Sequence, residues 1–220
     1  MRLPDYLRFL EPKLRRLRRL TVGSKDGLSF VGHLKVERQA AGGQLELVHD
    51  GKNFIVDVGV TAIRDLLIGV NGGGFAGSIH RMAVGDGGVP AGELFNPILP
   101  DATWPARTGL YHEIIRQDIS IFDTPTVNSM RFVGSFNSVD VNTSSYSLAD
   151  RVINEACLII GDGALTIGGD KKQINNTDTG PDVVDADEIM VSTRTFNSSS
   201  FDAAEDVTIT ITWTLTVATS

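Results

Sequence analysis

Residues 207–217, VTITITWTLTV, alternate without a break: Val207, Ile209, Ile211, Trp213, Leu215 and Val217 are interleaved with five threonines. Only a strand, with its two-residue side-chain period, puts all six apolar groups on one face. At roughly 3.3 Å per residue the segment runs about 35 Å, longer than most strands, and it predicts a ribbon that spans the body with this apolar row as its structural core. Burying each such side chain contributes roughly 1.5–3 kcal/mol, so the six together rival the net stability of an ordinary domain.

The same period recurs upstream. Segments 28–38 and 44–48 alternate imperfectly about Ala41-Gly42-Gly43 and predict a hairpin, which 54–58 extends. At 60–68 the period changes to that of a helix, with Val60, Ile63, Leu66 and Leu67 on one face and Gly69 at the C-terminal cap position. A strand at 78–84 is closed by the turn 85–88, and a proline-punctuated loop follows at 89–107; loops this long usually contact something. Strands are predicted at 110–122, at 129–141 with a bulge near Asn137, at 152–160, where continuous apolar character predicts burial on both faces, and at 188–195. The polar, glycine-containing stretch 162–186 reads as an insertion between strands, and 196–205 as the turn into the last one. The expected fold is mainly β, a β-sandwich-like body at 23–220 with one packed short helix.

The first 22 residues differ. Leu3, Leu7, Leu10, Leu14 and Leu17 recur at spacings of four and three, the apolar seam of an amphipathic helix able to pack on a partner. Pro12 kinks that helix or starts a second one at Lys13. Arg15, Arg16, Arg18 and Arg19 crowd its end. Seven basic against two acidic residues give positions 1–20 a charge of +5, leaving thirteen basic and twenty-five acidic residues, or −12, on the rest. An oligomerisation or docking arm is expected, with packing on its own domain and contact with a membrane surface or nucleic acid as the other readings. An acidic body is a poor binder of nucleic acid; only the arm suits it.

Composition adds a compartment. A single cysteine, Cys157, allows no internal disulfide, the N-terminus lacks the continuous apolar core of a secretory leader, and no run nears the ~18 residues needed to cross a bilayer. Synthesis in a reducing cytoplasm and no membrane partner are expected. The glycine-rich VNGGGFAG at 70–77 has neither a G-K-[ST] ending nor a dinucleotide-binding register. His33, His49, His80 and His112 lack ligand spacing, Cys157 sits in a predicted buried strand, and the turn Gly161-Asp162-Gly163 and the run Asp182, Asp185, Asp187, Glu188 fit no calcium-loop pattern. No metal, cofactor or catalytic residue is therefore expected. Glu113 and Glu155 are the two carboxylates that could do acid–base work as a pair; a structural pairing with Arg116, Arg131 or Arg194 is the expectation.

The order of segments VDVGVTAIRDLLIG (56–69), HRMAVGDGG (80–88), TGLYHEIIRQDI (108–119), INEACLIIGDG (153–163), STRTFNSSSF (192–201) and VTITITWTLTV resembles a group of bacteriophage virion proteins, the small tail-fibre-like and neck or collar proteins. The resemblance covers residues 53–217. It implies a non-enzymatic, oligomeric structural component of the virion, made in the host cytoplasm, docking to neck, tail or capsid subunits through its arm and loops. Two alternatives are a capsid decoration protein and a host-glycan receptor module, the latter resting on Trp104, Tyr111 and Phe95 near the long loop.

Overall fold

A computed structural model of the chain describes residues 28–68, 78–137, 152–161, 171–173, 188–200 and 206–219. The arm at 1–22, the VNGGGFAG loop, Gly69 and most of 162–186 lie outside the described residues. What is described is mainly β, two antiparallel sheets with one helix.

The first sheet contains five strands: β1 (Leu28–Gln39), β2 (Glu46–Lys52), β6 (Ile121–Thr126), β7 (Ser129–Asn137) and β11 (Thr208–Thr219), in the order β2-β1-β11-β7-β6. The threonine-rich ribbon is its middle strand. Val207, Ile209, Ile211, Trp213 and Leu215 are fully buried, as the alternation predicts, while Val217 is only half-buried. The hairpin turn also stands: Gly42 adopts φ +67°, and the Gly43 N–H closes on the Ala40 carbonyl at 2.9 Å.

The second sheet comprises β3 (Phe54–Ile55), β4 (Ser78–Gly85), β5 (Glu113–Asp118), β8 (Val152–Gly161), β9 (Lys171–Gln173) and β10 (Glu188–Ser200), in the order β3-β10-β8-β4-β5-β9. Its inward side chains, among them Met82, Val84, Leu158 and Phe196, meet the β11 row in one apolar core. β8 lies centrally and is buried on both faces. The helix α1 (Asp57–Ile68) packs on β10, with Asp57 in its first turn, where a negative charge suits the helix dipole. Gly59 permits that approach, since a Cβ there would lie 2.2 Å from the Val191 carbonyl oxygen.

Several predicted boundaries are corrected by sheet switching. The single strand expected at 110–122 is two, because the chain leaves one sheet for the other between neighbouring residues: the Ile119 N–H bonds the His80 carbonyl in the second sheet, and the Ser120 N–H bonds the Val133 carbonyl in the first. Nor does 54–58 extend the first hairpin. Asn53 bonds Gly32, whereas Phe54 and Ile55 pair with β10, and α1 begins by Asp57. Such corners close the sandwich edge. The ladder from β7 to β11 runs without a register shift as far as Asn137, and residues 138–151, where the rest of the expected bulge and strand would fall, lie outside the described residues. β10 continues to Ser200, where a turn was expected from 196, and three residues of the supposed insertion form the edge strand β9.

Candidate functional site

Four of the motifs that carry the resemblance meet at one end of the sandwich. β8 brings Asn154 and Glu155 beneath the turn 85–88, and both side chains bind its backbone. Glu155 Oε1 accepts the N–H of Gly87 at 3.2 Å and of His112 at 2.7 Å, while Oε2 accepts that of Tyr111 at 2.9 Å. Asn154 Oδ1 accepts the Gly88 N–H at 2.7 Å, and its amide nitrogen donates to the Ser198 hydroxyl at 3.3 Å. A side chain on these glycines would have no room: a Cβ on Gly85 would sit 2.1 Å from the His112 carbonyl oxygen, and one on Gly88 2.5 Å from that of Asn154. Hence the G-D-G-G sequence opposite N-E: three of its residues let backbone approach backbone, and Asp86 bonds the His112 ring.

Arg107 completes the clamp. Its guanidinium lies 3.6 Å from Glu155, donates to the Gly109 carbonyl at 2.9 Å and stacks over Tyr111 at 3.7 Å and Trp104 at 5.1 Å. Burial pushes the Glu155 carboxyl up to about 7, against the pull of the His112 and Tyr111 amides and of Arg107.

The long loop is thereby fixed. Ile98 donates its N–H to Gly88 at 2.9 Å and accepts the Thr195 hydroxyl at 2.6 Å, while the Leu94 carbonyl accepts the Ser198 N–H at 2.9 Å. At and beside these anchors the loop exposes apolar side chains: Phe95 is 76% exposed, and Leu94 and Leu99 are exposed too. Exposed apolar side chains that form a contiguous patch mark an interaction surface.

A second polar cluster lies on the outward face of the same sheet. Arg116, fully buried, grips Glu113 at 2.6 and 3.1 Å and also bonds Glu188. Glu188 reaches Arg81 as well, and Arg81 bonds Asp118 at 3.1 Å. Burial works to raise the Glu188 carboxyl, but the His80 bond and the charges of Arg116 and Arg81 hold it down at about 2. The His80 imidazole is raised in turn by that bond.

Of the residues singled out in the sequence, Glu113 takes the expected partner, Arg116. Glu155 takes none of the three expected arginines: it uses backbone amides and Arg107, because it lies under a turn rather than opposite a charged strand. Arg131 pairs with Asp123, and Arg194 lies beside His49, where burial lowers both. Trp104 is fully buried edge-on against Phe54, Tyr111 is half-buried with Arg107 over its ring, and of the supposed glycan-facing trio Phe95 alone is largely exposed. Cys157 is buried. The residues expected to dock, Leu3, Leu7, Leu10, Leu14, Leu17, Arg15, Arg16, Arg18 and Arg19, and the aspartates at 162, 182, 185 and 187, lie outside the described residues. Among the described residues no group of His, Cys, Asp and Glu is arranged to hold a metal ion, and no helix is long and apolar enough to cross a membrane. The Asn154–Glu155 clamp was missed in the sequence. The only signal was the pairing of G-D-G-G with a later N-E.

The geometry is that of a turn and a loop tied to the sheet by hydrogen bonds. Both oxygens of the Glu155 carboxylate are engaged by backbone N–H groups, and the residue is sealed from solvent. No family model, curated protein or solved structure matches the chain.

Proposed function

We propose that the chain is a non-enzymatic structural protein of a bacteriophage virion, placed at the neck, collar or tail-fibre base and docking to neighbouring subunits through its N-terminal arm and its 89–107 loop. The observation that carries the reading is the anchored loop: Leu94, Phe95 and Leu99 are exposed beside hydrogen bonds from Ile98 to Gly88, from Thr195 to Ile98 and from Ser198 to Leu94, and the Gly88 turn is itself held by Asn154 and Glu155. A rigid apolar projection on an acidic sandwich suits assembly, where fixed geometry lowers the ordering cost of each contact. The glycan-receptor alternative loses Trp104 to the interior, and the face of the half-buried Tyr111 ring is taken by Arg107.

The test is to image purified particles with the chain tagged at its C-terminus. Density or label at the neck or fibre base, lost when residues 1–22 are deleted although the body keeps its β circular-dichroism spectrum, is the expected result. Particles that never contain the chain overturn the reading, and label spread over the head lattice replaces it with a decoration protein.

A further inference from the structure

Beside the clamp lies an open cleft of about 430 Å³ between β1, β2, the end of β10 and the long loop. Leu47, Val48 and Phe95 form its apolar walls, Arg38 and Glu46 its rim. Leu47 is 56% exposed, and Leu45 and Leu94, chain neighbours of the lining residues Glu46 and Phe95, are also exposed. Ser199 lines the cleft while itself 5% exposed, and its hydroxyl has no hydrogen-bond partner. Buried hydroxyls are nearly always satisfied, so this one marks a place where another polar group is expected.

Connectivity selects the occupant. Leu28 pairs with Thr219, and Arg38 pairs with both Ile209 and Glu46. The point where residues 1–27 join the body and the cleft therefore lie at opposite ends of β1, roughly 33 Å apart at 3.3 Å per residue. To reach its own cleft the arm would have to return along the whole sheet. The arm of a second copy stacked end to end starts where it is needed. Charge agrees, since the arm carries +5 and the remainder −12; on the rim Glu46 is shared with Arg38 at 3.8 Å, and Glu93 lies next to Leu94 in the exposed loop.

We propose that this cleft receives the leucine seam of the 1–20 arm of a second copy of this chain, in a head-to-tail contact. Leu7, Leu10 and Leu14, one helical face by their spacing, lie against Leu47, Val48 and Phe95, and the arm's arginines lie over Glu46 and Glu93. A contact of this kind joins two different surfaces, so it propagates into a ring where the rotation closes and a filament where it does not. The inference rests on the reading of the arm as a docking element.

The native cysteine is single and buried, which makes engineered disulfides legible. Full-length Leu10→Cys and full-length Leu47→Cys are mixed and oxidised. The expected product is a disulfide-linked dimer that forms in the mixture at least tenfold more than in either variant alone. Independently, Phe95→Lys, at an exposed position, weakens self-association at least tenfold by sedimentation while the thermal midpoint stays unchanged. No cross-link in the mixture, or unchanged association of Phe95→Lys, overturns the proposal, as does a disulfide that forms only within one chain when both cysteines are placed on it. Loss of particle incorporation on arm deletion without any cross-link would sink this contact and leave the virion reading intact. A cross-link in a chain that particles never contain would do the reverse.

Discussion

The two faces of the six-stranded sheet are built on opposite principles. Inward, Met82, Val84, Ile115, Leu158 and Phe196 meet the β11 row, and nothing beyond size and apolarity is asked of them. Outward, ions lie in successive cross-strand rows: Gly85 pairs with both Glu113 and Glu155, Ala83 with Arg116 and Cys157, and Arg81 with Asp118. The inward face can absorb a lost methyl group at graded cost, whereas each outward ion is stabilised only by its neighbours, so removing one strands the rest. A sandwich that is forgiving inside is therefore unforgiving on the covered outer face.

Arg116→Ala breaks the comparison hardest. It leaves Glu113 without its bidentate partner and removes one of the two arginines on Glu188, at a cost of roughly 3–5 kcal/mol. Urea denaturation measures it. A loss below about 1 kcal/mol would mean that the outer face is as tolerant as the inner one.

Glu155→Gln tests the clamp through pH. The folded carboxyl titrates at about 7 against 4.5 unfolded, so the folded state binds the proton more tightly, and this stability contribution, complete below pH 4.5, is lost as pH rises through 7. The shift of 2.5 corresponds to roughly 3 kcal/mol across that window. The stability difference between parent and Glu155→Gln should therefore fall as pH rises from 4.5 to 7, and taking the difference cancels the titrations the two share. Glu188 titrates outside this range, its contribution being lost only as pH falls from 4.5 towards 2. A flat difference between pH 4.5 and 8 would show that Glu155 is ionised throughout.

The same contrast explains what was legible in the sequence. The inward rows announce themselves by period, because hydrophobic burial repeats with the backbone; Ile209, Ile211 and Trp213 could be placed from spacing alone. Arg116 and Glu188 stand 72 positions apart, and Glu155 binds main-chain N–H groups of Tyr111 and His112, which leave no mark on side-chain identity. The sheet switch at Ile119–Ser120 was hidden for a related reason. Alternation continues through Ile121, and only the partner strand changes. Trp104 looked available because it lies in a proline-punctuated loop, yet that loop folds its tryptophan against Phe54.

The smallest effect sharpens the comparison on β11 itself, where neighbouring residues face opposite ways. Ile211 is fully buried opposite Val36 and Gly134, while Thr212 stands half-buried opposite Lys35 and Val133. Ile211→Val removes one methylene from a packed core and should cost about 0.5–1.5 kcal/mol. Thr212→Val exchanges a hydroxyl for a methyl on a partly wet face, where substitutions stay within about 0.5 kcal/mol. Thermal unfolding of the two variants side by side reads the ratio. Should Thr212→Val prove the costlier, the threonine face must be covered in solution, and the five-stranded sheet would then have a second packed side to which the clamp and cleft contribute nothing.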